Sequence, residues 1–268
     1  MNSIPAKKSL GQNFLKSKTA LNKMIEAGEV TGSDIVLEVG PGKGVLTEKL
    51  LLTAKKVIAV EKDDRLISLL QEKFASEIAS NKLEIIHDDI LNFQQGNYHL
   101  KTGEYKIIAN IPYYITGLFL RKFLETDCQP AKIVVMVQKE IAQRIMAHDP
   151  QGRAGKKESL LSISVKAFGI PKMVMKVDKE NFSPAPKVDS AILSISDISK
   201  SFFINNKIGE KEFFEILHAG FAHKRKMLIS NLRALFPNID WEGRFTLASI
   251  SLKTRAEDLT LGDWSKLF

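Results

Sequence analysis

Ile35-Val36-Leu37-Glu38-Val39-Gly40-Pro41-Gly42-Lys43-Gly44 is the stretch that decides the fold. Its apolar half reads as a buried strand. Its glycines let the chain turn tightly and let a ligand approach the backbone. The helical pattern Val45-Leu46-Thr47-Glu48-Lys49-Leu50-Leu51 follows, giving strand, glycine loop, helix. A second strand, Val57-Ile58-Ala59-Val60, ends at Glu61, 21 residues after Gly40. An acidic side chain there is placed to accept both hydroxyls of a bound ribose. Working outward, strand patterns recur at Leu83–His87, Ile107–Asn110, Lys132–Val137, Met173–Val177 and Ser190–Ile195, with helical periods between most of them. This alternation, closed by a hairpin-like pair, implies an α/β fold: a Rossmann-like, seven-stranded, mostly parallel sheet with one antiparallel edge.

The glycine loop departs from a dinucleotide site. In the NAD fingerprint the third glycine comes later and no acid precedes the first. Here Glu38 stands two residues before Gly40. An acid at that point suits a ligand with a cationic amino-acid end, and S-adenosylmethionine carries an ammonium and a sulfonium. The third strand ends in Asp88-Asp89. Taken alone this is a solvated aspartate pair. After the two preceding strand-end signals, Asp89 is read as an acceptor for an adenine amine.

The fourth strand runs into Asn110-Ile111-Pro112-Tyr113-Tyr114. Asn110 offers both a carbonyl acceptor and an NH₂ donor. Pro112 fixes its own φ and biases Ile111 towards an extended conformation. Tyr113 supplies a flat face. Together they suit a planar ring with an exocyclic amine, the amine donating to the Asn110 oxygen and a backbone carbonyl while the ring stacks on Tyr113. The plain alternative is a strand followed by a turn with core tyrosines. Further on, Asn181-Phe182-Ser183-Pro184-Ala185-Pro186-Lys187-Val188-Asp189-Ser190 is a proline-stiffened loop between strands. Phe182 at its start is either a core residue or the second face of an aromatic sandwich around an extruded base.

Charge points to the partner. The 268 residues carry a net charge of +8, which favours an anionic partner with nucleic acid first. Residues 1–25 hold Lys7, Lys8, Lys16, Lys18 and Lys23 and no acid. Phe14 and Leu15 within them are costly to leave in water, so this arm is expected to dock on the main domain. One cysteine, Cys128, excludes an internal disulfide and a Cys-based zinc site, and the five histidines lack ligand spacing, so no metal is expected. There is no apolar leader and no apolar run approaching about 18 residues, so a soluble, cytoplasmic protein without membrane attachment is expected. Residues 148–157 read as a polar, positively charged, mobile loop.

Asp197 to Lys207 reads as a linker, and no strand-like period follows it. Helical patterns at 212–222, 225–236, 245–251 and 258–268 make a small all-α domain, giving expected domains of 1–197 and 208–268. Across 197–268 there are 11 Lys+Arg and 9 Asp+Glu, so this domain is nearly neutral. His223-Lys224-Arg225-Lys226 with Arg233 is therefore a local cationic cluster, which favours phosphate contact over a merely solvated helix face.

These stretches, with Gly11-Gln12-Asn13-Phe14-Leu15 and Phe221-Ala222-His223-Lys224-Arg225-Lys226, resemble the ribosomal RNA adenine dimethyltransferase family over nearly the whole chain. The resemblance implies a class I methyltransferase fold, an S-adenosylmethionine cofactor, and N6 dimethylation of two adjacent adenosines near the 3′ end of small-subunit (16S) ribosomal RNA. The Phe182–Ser190 and Phe221–Lys226 motifs are what separates that branch from the similar macrolide-resistance enzymes acting on large-subunit RNA. It further implies that Asn13, Leu15, Gly40, Glu61, Asp89 and Asn110 line the cofactor site, and that Asn110, Tyr113 and Phe182 hold the target adenine. Lys187, Lys224, Arg225, Lys226 and Arg233 are then the expected RNA contacts, on a monomer that meets a small-subunit particle. One departure is Lys157-Glu158, where the family often has Tyr-Gly or a similar pair. Two rival readings are a DNA adenine methyltransferase with a related Asn/Asp-Pro-Pro-Tyr motif and a non-catalytic RNA-binding assembly factor.

Overall fold

The computed structural model describes residues 4–147 and 157–268, so all but Lys157 of the expected loop at 148–157 lies outside the described residues. The apolar runs become the strands β1 (Ile35–Val39), β2 (Lys56–Glu61), β3 (Leu83–His87), β4 (Tyr105–Asn110), β5 (Lys132–Gln138), β6 (Ile170–Val177) and β7 (Ser190–Ser196). They form one sheet in the order β3-β2-β1-β4-β5-β7-β6. β1 to β5 are mutually parallel. β7 is antiparallel to β5 on one side and to β6 on the other. The antiparallel strand thus lies one place in from the edge. The connection after β6 folds β7 back into the gap beside β5, which leaves β6 outermost.

Central strands covered on both faces need continuous Val/Ile runs rather than alternation. Val36, Val57, Ile108 and Val134 accordingly sit on neighbouring strands of one buried cluster. Helix Lys18–Gly28 closes over it with Ala20, Leu21 and Met24, and the Ser17 side chain caps its start by accepting from the Ala20 N–H at 3.3 Å. The basic arm before this helix docks as its apolar residues require. Phe14–Leu15 pairs antiparallel with Phe182–Ser183, and the Lys16 N–H donates to the Asn181 carbonyl at 2.8 Å. Leu15 is 7% exposed.

The chain's contacts divide it into two compact units: residues 1–142 with 170–198, and residues 143–169 with 199–268. The division departs from boundaries at 197 and 208 because of aromatic packing. Phe168 lies 5.3 Å from Phe203 and 5.8 Å from Phe214, ring centroid to centroid, which ties the segment before β6 to the later helices. The same packing replaces the expected linker with a helix, Ser201–Asn206, whose Phe203 is buried. Helices Glu210–Gly220, Leu228–Leu235, Trp241–Leu247 and Leu261–Ser265 complete this unit around Phe213, Leu232, Trp241, Phe245 and Trp264. The first expected helix, 212–222, ends at Gly220 and the second, 225–236, starts only at Leu228, so residues 221–227 are turn, not helix. Among the described residues no helix is long and apolar enough to cross a membrane.

Candidate active site

In an open parallel sheet, ligands collect outside the carboxyl ends of the strands, where the strand order reverses. Here the reversal falls between β1 and β4. A cleft opens there, lined by Gly40 after β1, Glu61 at the end of β2, Asp88 and Asp89 after β3, and Asn110 to Tyr114 at and after the end of β4. Its remaining wall is the docked arm, Leu10 to Phe14. A second cavity shares Phe14, Gly40, Gly42 and Asn110 with it and reaches Leu15, Glu38 and Ser183. The sheet therefore brings together Asn13, Gly40, Glu61, Asp89, Asn110 and Tyr113, with Leu15 in the adjoining cavity.

The glycine loop is built for close approach. Gly40, Gly42 and Gly44 have φ of 66°, 60° and 74°, the left-handed region that only glycine enters freely. A Cβ on Gly44 would lie 2.5 Å from the Phe74 ring, and one on Gly42 would lie 3.1 Å from Phe14. Glu61 holds this loop. Its carboxylate accepts from the Gly42 N–H at 3.1 Å and from the Lys62 and Asp63 N–H groups at 2.9 Å each. Burial raises the Glu61 pKa, and those three N–H groups only partly offset it. Asp63, one turn on, is held well below the usual carboxylate range by the Arg65 guanidinium, and it also accepts from Gln12 of the arm at 2.8 Å.

Glu38 is the least satisfied group in the molecule's described part. It is fully buried, and neither of its carboxylate oxygens has a hydrogen-bond partner; the hydroxyl of nearby Thr47 also lacks one at full bonding geometry. Burial pushes its pKa up to about 8, with the Thr47 hydroxyl working against that and the Glu61 carboxylate adding to it. A buried carboxylate left unpaired costs several kcal/mol unless it is protonated or meets a cation.

Asp89 is not an open acceptor. Its carboxylate takes the Lys62 ammonium at 2.6 Å and the Leu91 N–H at 3.0 Å. Burial pushes its pKa up, but these partners outweigh it and hold the group below its ordinary value. Lys62 was not singled out in the sequence, although its place directly after Glu61 puts it at the cleft mouth.

Asn110 has a definite orientation. Its NH₂ donates to the Asn13 carbonyl at 3.2 Å, and the Asn13 NH₂ donates to the Gly11 carbonyl at 3.2 Å. The Asn110 oxygen is left as the acceptor at the end of β4. Beyond it, Pro112 has φ of −58° and ψ of 135°, and its carbonyl accepts from the Ile115 N–H at 3.2 Å. The Tyr113 hydroxyl lies 2.6 Å from the buried Ser190 hydroxyl of β7, which fixes the ring.

Phe182 requires a correction. It is 2% exposed and belongs to the core cluster with Leu15, Leu21 and Val177, and it does not line the cleft. The arm strand Phe14–Leu15 pairs with its backbone, Leu15 opposite Phe182. Tyr114, by contrast, lines the cleft and is 63% exposed. In the helical unit, Lys224, Arg225 and Lys226 are exposed in the turn before Leu228, while Arg233 is ion-paired with Glu242. Lys187 is exposed in the proline loop.

Residues 4–268 match the protein family described as "Ribosomal RNA adenine dimethylase". The chain belongs to the ribosomal RNA adenine dimethylase family. It is 41% identical to a "Ribosomal RNA small subunit methyltransferase A" of Dehalococcoides mccartyi, over 98% of this chain and 88% of that one. A protein of the same name from Clostridium botulinum is 35% identical, over 97% and 92%. Among solved structures, a dimethyladenosine transferase from Plasmodium falciparum superposes with a TM-score of 0.75 at 30% identity, covering 95% of each chain. The 23S rRNA methyltransferase ErmE shares the fold, with a TM-score of 0.70 at 23% identity over 95% of this chain and 98% of that one. As a member of this dimethylase family, the chain has the glycine loop, the strand-end acids and the Asn-Ile-Pro-Tyr corner in one cleft.

Proposed function

We propose that the protein dimethylates N6 of two adjacent adenosines near the 3′ end of 16S ribosomal RNA in a cytoplasmic small-subunit particle, with S-adenosylmethionine as donor. The observation that carries this reading is the Asn110 corner: an amide locked by Asn13 so that its oxygen is presented at the strand end, beside a stiff Ile111-Pro112 backbone and a fixed Tyr113 ring. The names of the relatives support the small-subunit substrate.

The residues present fit the cofactor. Glu38, buried and without a partner, is placed to meet a cationic amino-acid end, and the left-handed glycine loop leaves its backbone open to the ligand. Glu61 would hold the ribose, in addition to the three N–H groups it already accepts. Asp89 would take the adenine amine with Lys62 still on its other oxygen, or by displacing it. When bound, the donor supplies a methyl on a sulfonium, a good leaving group.

The protein's task is to prepare the nucleophile. The N6 lone pair of adenine is delocalised into the ring. Donation of both N6 hydrogens, to the Asn110 oxygen and the Ile111 carbonyl, favours a pyramidal nitrogen whose lone pair points out of the plane. Ile111 replaces Pro112 as the preferred carbonyl because the latter already accepts from Ile115. Tyr113 holds the ring flat. Alignment of this kind supplies most of the acceleration. The methylated amine is acidic while cationic and loses its proton to water, so no strong base is needed. In the second transfer only one N6 hydrogen remains, so the pocket must let the first methyl turn aside.

One assay tests the reading: tritium transfer from labelled S-adenosylmethionine to unmethylated small subunits, naked 16S RNA and duplex DNA. Transfer to subunits with two methyls per adenosine is expected; transfer to duplex DNA alone would replace this reading with the DNA methyltransferase, and no transfer to any would leave an assembly factor. Two variants refine it. Glu61→Ala is expected to weaken cofactor binding by about 1–3 kcal/mol, as for a charge-assisted hydrogen bond. Calorimetry giving wild-type affinity in a folded variant would remove the ribose assignment. Alanine at Lys224, Arg225 and Lys226 together is expected to weaken subunit binding and flatten its salt dependence while cofactor affinity holds. An unaltered salt slope would return the cluster to an ordinary solvated turn.

A further inference from the structure

The helix Thr116–Leu124 follows directly on the Asn110 corner and buries one face, with Phe119, Leu120 and Phe123 at most 1% exposed. Its other face is open. Leu118 and Arg121 are neighbours at i and i+3 on this helix, and Tyr114 stands in the 3₁₀ turn Tyr113–Ile115 that leads into it. Tyr114 is 63% exposed, Leu118 58%, and the Arg121 side chain 63%. Between them Gly117 is bare: a Cβ built on it meets nothing within 4 Å. Among the described residues the exposed Arg121 pairs with the half-buried Glu125, at 2.9 Å, an ion pair open to water on the Arg121 side, of the kind that yields to a phosphate. Lys122 lies beside it, with its ammonium on the Leu91 carbonyl at 3.1 Å.

This strip is continuous with the cleft. The Tyr114 ring forms part of the cleft wall and is backed by the arm, since a Cβ on Gly11 would lie 3.3 Å from its Cε1. The 3₁₀ turn and the two helical turns from Tyr114 to Arg121 rise about 10 Å, the reach of a nucleotide and its following phosphate. An aromatic ring, a floor without a side chain, an aliphatic side chain and a guanidinium in that order match base, sugar and phosphate of a single strand.

We propose that this strip seats the RNA strand flanking the extruded adenosine: a neighbouring base stacks on Tyr114, its sugar passes over Gly117, and a phosphate meets Arg121. The proposal rests on the adenine-transfer reading above and adds a residue set that selects the strand beside the target. It gives the exposed Tyr114 a role that the locked Tyr113 cannot share.

The decisive variant is Gly117→Gln. The space above Gly117 is empty and glycine is a poor helix former, so the substitution is expected to leave the melting temperature at or above wild type and cofactor affinity unchanged. It fills the floor of the strip. The affinity for naked 16S RNA and the half-saturating subunit concentration in single-turnover transfer are expected to weaken about five- to a hundredfold, the range that follows from base-stacking energies. Tyr114→Ala is expected to fall in the same range, and Tyr114→Phe, which keeps the ring, to recover most of the loss. Wild-type RNA affinity in a folded Gly117→Gln protein overturns the proposal. Weakened binding to subunits with unchanged binding to naked RNA also overturns it, because a protein of the particle then occupies the strip. RNA affinity is read independently of methyl transfer, so a wild-type protein that binds RNA and transfers nothing counts against the catalytic reading and leaves the strip to be judged on binding.

Discussion

Asn110→Ala is expected to slow methyl transfer by about a hundred- to a thousandfold, the cost of deleting one pre-positioned partner at a reacting atom. The side chain has one bond to the rest of the protein, from its NH₂ to the Asn13 carbonyl, and its oxygen is presented at the end of β4. Alanine removes the acceptor that orients N6. It also removes the bond that fixes Asn13 to the strand end, while Gln12 on Asp63 and the Phe14–Leu15 pairing still hold the rest of the arm. Asn110→Asp separates the two effects. It keeps an acceptor but places a carboxylate against the Asn13 carbonyl, so the arm is expected to loosen while part of the rate survives. Single-turnover transfer with saturating subunits measures both. A folded Asn110→Ala protein within threefold of wild type would mean that the amine is oriented by backbone alone.

The other large effect is one of stability against pH. Glu38 has a folded-state pKa near 8, raised from 4.5, because burial leaves its carboxylate without partners. Between those values the native state binds a proton that the unfolded state does not. The stability that the protonated group confers is therefore fully present below about pH 4.5 and is lost as pH rises to about 8, at roughly 1.4 kcal/mol per unit and about 5 kcal/mol in all. The charges that bear on it are Glu61, which adds to the penalty, and Lys73, which relieves it slightly. Glu38→Gln keeps the shape and removes the titration. The ligand-free variant is expected to melt at nearly the same temperature at pH 6 and pH 8.5, while the wild type melts lower at the higher pH. Parallel melting curves for the two proteins across that range would show that Glu38 is not the group responsible.

The strands were legible because each is a compact Val/Ile run ending in a polar or glycine residue, and strand ends are where an α/β sheet places its ligands. Gly40, Glu61, Asp89 and Asn110 could be found from that rule alone. What the sequence hid depended on distant pairing. Phe182 follows β6 and precedes two prolines, which reads as an exposed loop, and nothing within those residues says that Leu15 will pair with it. The position of β7 between β5 and β6 is equally invisible to periodicity, since hydrophobic alternation reports a strand's faces and not its neighbours. Lys62 escaped notice because a lone surface lysine carries no pattern; only folding brings it to Asp89, 27 residues away. The helix at Ser201–Asn206 was masked by its polar ends, and Phe202 and Phe203 were the apolar signal within it.

The arm that carries Gly11 to Leu15 has a consequence for the order of events during synthesis. These residues are made early, yet the backbone they pair with, Phe182–Ser183, is made more than a hundred and sixty residues later. The glycine loop, Glu61, Asp89 and Asn110 can take their places on a growing sheet before then, and the wall opposite them has the Gln12–Asp63 and Asn110–Asn13 bonds but not yet its strand pairing. The arm wall of the pocket therefore gains its backbone pairing only after Phe182–Ser183 has been made.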